Sequence, residues 1–177
     1  MGYSHFLALG SGPPVTLFGT PGARLPKWFK QHGWGPRIRY TATNLFTGEV
    51  GLALTQKDFG EYAITLSAPE RAMMEVLHAV PLDETFEESR LLMEGMATLR
   101  PNLVQTLLEH CNSVKVKRLF LFLAEGCGHA WFKRIDISKL DLGKGNRVVV
   151  KGGRLDSKYM ITVPKDPPGT LETQNAT

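Results

Sequence analysis

The stretch SVKVKRLFLFLAEGCG, residues 113–128, decides the fold of this chain. Leu119, Phe120, Leu121, Phe122 and Leu123 would cover every side of an α-helix with apolar surface. A helix without a polar face belongs at the centre of a domain. The run is too short to cross a bilayer, which takes about 20 apolar residues. The expected helix spans about Ser113 to Glu125; Lys115, Lys117 and Arg118 open it, and Gly126 and Gly128 stop it.

Three amphipathic helices are expected upstream to cover it. Ser67-Ala68-Pro69-Glu70 has the spacing of a capping box, with a serine and a glutamate that satisfy each other's backbone N–H groups. Ala72, Met73, Val76, Leu77 and Val80 then form one apolar stripe, which Pro81 ends. A second helix is expected over about Thr85 to Met96, with Glu87 and Glu88 in the first turn, where the helix dipole favours anions. A third follows Pro101, its buried face made by Leu103, Val104, Leu107, Leu108 and Cys111.

Elsewhere the pattern is that of short strands. Residues 14–19, 37–41, 50–55 and 62–66 are strand candidates between Gly and Pro turns, and residues 25–32 read as one or two helical turns. Beyond the central helix, Trp131 to Lys133 suggests another turn. Residues 147–150 and 158–163 read as strands joined at Gly152-Gly153. The expected fold is therefore α+β: a small twisted β-sheet in the N-terminal half, packed with about four helices, and a basic β-hairpin at the C-terminal end. The expected division is a β-rich part at 1–66, a helical part at 67–128, a basic segment with the hairpin at 129–165, and a disordered polar tail at 166–177.

A chain of 177 residues buries about 70% of its unfolded surface, and 42% hydrophobic with 21% charged residues is an ordinary globular balance. Two cysteines make no disulfide framework, and MGYSHFLALGSGPP at the start has neither a basic n-region nor a long apolar core. A cytoplasmic protein with no membrane partner is expected. The net charge of +4 is unevenly spread. Residues 1–56 carry five basic and one acidic residue, residues 57–111 four basic and ten acidic, and residues 113–165 twelve basic and four acidic.

That basic third is the strongest functional signal. Lys115, Lys117, Arg118, Lys133, Arg134, Lys151, Arg154 and Lys158 are the candidate anion-contact residues, interleaved with Trp131, Phe132 and Tyr159. Cations neutralise phosphates, and aromatic rings stack on exposed bases. DNA, RNA or an acidic protein would each satisfy such a patch, and a plain solvated surface over aromatic core residues would look the same. His110-Cys111 and Cys127-Gly128-His129 do not match zinc-ligand spacing, so no metal is expected. The turns at Gly143-Lys144-Gly145 and Lys151-Gly152-Gly153 are not phosphate loops of the strand-to-helix kind. No catalytic residue and no cofactor is expected; a degenerate restriction-endonuclease-like or nucleotide-dependent enzyme is the alternative.

Residues 67–77 (SAPERAMMEVL), 91–96 (LLMEGM), 113–123 (SVKVKRLFLFL), 129–134 (HAWFKR) and 150–164 (VKGGRLDSKYMITVP) resemble motifs of the AbiEi family of antitoxins and transcriptional regulators. The resemblance covers nearly the whole chain up to the tail. It implies a type IV toxin–antitoxin role in phage defence: counteracting a nucleotidyltransferase-like toxin, without need of a stable complex, and repressing the protein's own operon. It also implies an α+β fold with positive surface that aids DNA binding. The family's operator recognition lies in an N-terminal winged helix, and residues 1–66 show no helix-turn-helix pattern. DNA contact by these residues is therefore expected to be weak or auxiliary, with the eight cations carrying it.

Overall fold

The computed structural model describes residues 14–48 and 51–165. The order of elements is β1 (Val15–Gly19), α1 (Lys27–Gln31), β2 (Ile38–Ala42), β3 (Leu54–Asp58), β4 (Ala63–Ser67), α2 (Pro69–Ala79), α3 (Phe86–Glu94), α4 (Pro101–His110) and α5 (Val114–Cys127). Two 3-10 turns, Ala130–Arg134 and Ile137–Lys139, lead to β5 (Arg147–Val148), β6 (Arg154–Asp156) and β7 (Ile161–Val163). The fold is α+β, as expected. The expected tail, residues 166–177, lies outside the described residues.

The apolar helix is central. Val116, Leu119, Phe120 and Leu121 of α5 have no exposed surface, and Leu123 and Ala124 almost none. Helices α2 and α3 pack on α5, and α4 packs on α2 and on the first 3-10 turn. Met73, Met74 and Leu77 of α2, Met93 of α3, and Val104, Leu107 and Leu108 of α4 complete the core with Trp131, Ile161 and Val163. Each such large side chain contributes about 1.5–3 kcal/mol on leaving water. Gly128 ends α5 at φ +66°, the left-handed conformation that glycine adopts without a Cβ penalty.

Helix α2 starts later than its spacing suggests. Strand β4 runs through Ser67, so Ala68 takes the N-cap position and no side chain caps it. The Ser67 hydroxyl donates instead to Glu75 (2.7 Å), and Glu70 turns toward Arg100. The reciprocal capping box forms one helix on: Glu88 N donates to Thr85 Oγ1 (3.1 Å) and Thr85 N to Glu88 Oε2 (3.3 Å) at the start of α3.

The N-terminal strands form two separate pairs rather than one sheet. Strands β1 and β2 are parallel, with Val15 opposite Ile38 and α1 in the crossover. Parallel neighbours require such a crossover of a dozen or more residues. The chain then leaves this sheet to bridge the end of α4. Phe46 pairs with Cys111, Thr47 N donates to His110 O and Asn112 N to Leu45 O, both at 2.8 Å. Strands β3 and β4 make an antiparallel hairpin, with Leu54 opposite Ser67. Arg39 on β2 is held by Glu84 (3.2 Å) and Asp83 (3.9 Å), between α2 and α3.

The C-terminal sheet differs from its expected two strands. A third strand, β6, intervenes, and the order is β5-β7-β6. The hairpin joins β6 to β7, while β5 runs parallel to β7. With three residues, Arg-Leu-Asp, β6 is too short to show alternation in a sequence. Gly153 makes this packing possible: a Cβ there would lie 2.1 Å from the Val163 carbonyl oxygen, which is backbone and cannot step aside. Gly153→Ala is expected to cost about 1–3 kcal/mol through overpacking, measured as a lower urea midpoint with an unchanged m-value.

Candidate functional site

The eight candidate cations fall into two groups. The three that open α5 point into the protein. Arg118 is 3% exposed and donates Nε to Leu142 O (2.8 Å), Nη1 to Gly145 O (2.6 Å) and Met160 O (3.1 Å), and Nη2 to Gly143 O (3.0 Å). Its planar fork of donors suits several acceptors at once. Lys117 is 5% exposed, close enough to the buried Cys111 for its charge to act on that thiol. Lys115 donates to the carbonyls of His78 (2.9 Å) and Val80, at the C-terminal end of α2. A cation there satisfies carbonyls that the helix leaves unpaired. Burial holds the Lys115 ammonium below its usual range. Their place on an exposed face is thus corrected: each side chain is drawn inward by backbone carbonyls or by the core.

The other five, Lys133, Arg134, Lys151, Arg154 and Lys158, are exposed. Lys133 and Arg134 close the first 3-10 turn, Lys151 sits between β5 and β6, Arg154 lies on β6, and Lys158 is in the β6–β7 turn. Lys158 pairs with Glu125 of α5, and its ammonium lies 5.3 Å from the Tyr159 ring centre. The Tyr159 hydroxyl donates to the other Glu125 oxygen (3.0 Å). The hydrogen bond from Lys158 holds the Glu125 carboxyl below its usual range, although partial burial opposes this. Burial, then the bond to Glu125, pushes the Tyr159 phenol upward, so it stays protonated.

Glu125 also borders an open groove of about 390 Å³ with Gly128, His129, Phe132, Lys133, Ile135 and Ile137. Glu125 thus borders a groove that Lys133 also lines, and separately pairs with Lys158. Lys133, Arg134, Lys151 and Arg154 form no ion pair with any described residue.

The other motifs have local structural partners. His110 Nδ1 donates to Thr106 O (2.9 Å) and His129 Nε2 to Met93 O (2.8 Å). Among the described residues, no three His, Cys, Asp or Glu side chains are placed to hold a metal ion. In the 143–147 turn, the Gly143 and Gly145 carbonyls face Arg118 and Gly143 N donates to Asp141 (2.8 Å). Two features escaped sequence reasoning. One is the pair of buried Glu70 with the largely exposed Arg100, thirty residues apart and visible only in the fold. The other is an aromatic cluster around α1, whose signal lay in plain composition: residues 14–48 contain no Asp or Glu.

Fold and surface together define a mixed α+β domain that carries unpaired exposed cations on its C-terminal turns and sheet, among other places. A family model described as transcriptional regulator, AbiEi antitoxin, type IV TA system, matches residues 13–164. The chain belongs to that family, a regulatory and non-enzymatic kind of protein. No curated protein and no solved structure matches it. Among the described residues, no helix is long and apolar enough to cross a membrane.

Proposed function

We propose that the chain counteracts a nucleotidyltransferase-like toxin and supports autoregulation of its operon, through a basic surface formed by Lys133, Arg134, Lys151, Arg154 and Lys158. Family membership supplies the antitoxin and regulator role. The observation that carries the surface is that four of these cations are exposed and lack a carboxylate partner among the described residues. Unpaired surface cations present their full charge to a phosphate backbone, and each phosphate they neutralise releases a counterion. Lys158 pairs with Glu125, which lines the groove that Lys133 also lines, and this supports counting it with the other four.

Joint reversal of Lys133, Arg134, Lys151 and Arg154 to glutamate is expected to abolish protection of cells from the cognate toxin and to weaken retention on DNA. The slope of log K against log salt should fall by about 0.9 for each phosphate no longer neutralised. The helical circular dichroism should be unchanged. Protection and salt dependence equal to those of the unaltered protein would refute the reading.

A further inference from the structure

The parallel pair β1–β2 and its crossover carry a second cationic surface, far in sequence from the C-terminal one. Phe29 and Trp34 lie with ring centres 4.6 Å apart, and Trp34 Nε1 donates to Phe29 O (2.8 Å), which fixes the indole. His32 approaches Trp34 at 4.4 Å and Trp28 meets Phe29 edge-on at 5.6 Å. Tyr40 is anchored by its hydroxyl, which donates to Ala23 O (2.9 Å), and its ring lies over Gly19, where a Cβ would meet the hydroxyl at 2.1 Å. Leu25, Phe29, Lys30, Trp34, Ile38 and Tyr40 bound an open slot of about 200 Å³. Trp28 is 64% and Trp34 40% exposed, a large apolar surface to leave in water.

Cations flank these rings in the sequence, and Lys30 lines the slot itself. Residues 14–48 hold five cations and no carboxylate. Only Arg39 is neutralised, by Glu84 and Asp83. Arg24, Lys27, Lys30 and Arg37 are exposed and form no ion pair among the described residues. We infer that this slot receives an unpaired base of a single-stranded nucleic acid, stacked against Phe29, Trp34 and Tyr40, with its phosphates held by Arg24, Lys27, Lys30 and Arg37. An apolar partner would leave four cations unused, and an acidic peptide would leave the ring-lined slot unfilled. A duplex hides the faces of its bases, whereas a single strand offers both a π-face and phosphates. The inference concerns residues 24–40 and stands apart from the reading placed on residues 133–158.

The test titrates the full chain with labelled DNA and RNA strands of about 12 nucleotides, within the range of known single-strand site sizes, and with a blunt duplex of the same length. Anisotropy reports binding. Quenching of tryptophan fluorescence reports stacking, because the third tryptophan, Trp131, is buried. Either single strand is expected to bind about tenfold tighter than the duplex and to quench; which sugar is preferred identifies the ligand as RNA or DNA.

Trp34→Ala should weaken binding about tenfold, within the range for loss of one stacked base, and Trp34→Phe should restore most of it. Lys30→Glu with Arg37→Glu should weaken binding and flatten its salt dependence; this variant keeps the rings and carries the test if Trp34→Ala misfolds. Equal affinity for strand and duplex, or binding without quenching, would overturn the inference. Polyglutamate competing as well as the oligonucleotide would overturn it too, in favour of an acidic protein partner.

Discussion

Arg118→Met is expected to lower the stability of the domain by about 3–5 kcal/mol, because buried acceptors left without a donor cost about 1–3 kcal/mol each. The variant keeps the aliphatic stem and deletes the four hydrogen bonds to Leu142, Gly143, Gly145 and Met160. Hydrogen bonds from a charged donor contribute about 1.5–3 kcal/mol each. The exposed part of the 141–146 turn regains some water when freed, so the sum is not reached. For a chain of this size, each kcal/mol moves Tm by about 2–4 °C, giving a fall of about 10 °C. Arg118→Lys should recover little, since one ammonium cannot reproduce the fork. Lys133→Ala, at an exposed and unpaired site, should change stability by no more than about 0.5 kcal/mol. A loss below about 1 kcal/mol for Arg118→Met, by urea unfolding, would contradict the role assigned to it.

Glu70→Gln is expected to cost about 1–3 kcal/mol at neutral pH and progressively less in acid. Glu70 is 2% exposed and accepts from Arg100 N (2.9 Å), Nε (2.9 Å) and Nη2 (3.0 Å). Burial pushes its carboxyl upward, but the hydrogen bonds and charge of Arg100 outweigh burial, and the pKa ends below 4.5. The unfolded carboxyl therefore binds a proton more readily than the folded one. The stabilisation is complete above the unfolded value and is lost as pH falls through the folded value. The Arg100 side chain remains largely in water, which keeps the effect below that of a fully buried pair. Urea unfolding of both proteins across a pH series tests this: their curves should draw together as the pH falls below the ordinary glutamate range. A gap of constant size down to the acid limit would exclude an ionised Glu70 as its source.

The helical half was legible because burial leaves a periodic mark. The stripe in α2, the paired acids opening α3 and the unbroken apolar run of α5 each have one physical solution. What could not be read was partner choice. Ser67 and Glu70 have capping-box spacing, yet a buried carboxylate thirty residues from a guanidinium is better served by it than by a helix end. Lys115, Lys117 and Arg118 look like the start of a basic face because sequence counts charge without direction. Four carbonyls and the end of α2 take two of them, and the core takes the third. The five cations that remain exposed lie on short irregular segments, where period carries little information. The surface around α1 shows in the sequence only as an absence of acids.

The grip of Arg118 on Met160 and on residues 142–145 also sets how short a fragment of this protein can be made. A piece cut after the last helix would keep every large apolar side chain of α2 to α5, yet lose the carbonyls that hold Arg118 and bare the core that Trp131, Ile161 and Val163 cover. A proteolytic or recombinant core that survives must therefore carry the chain past Met160, although those final residues look like trimming material.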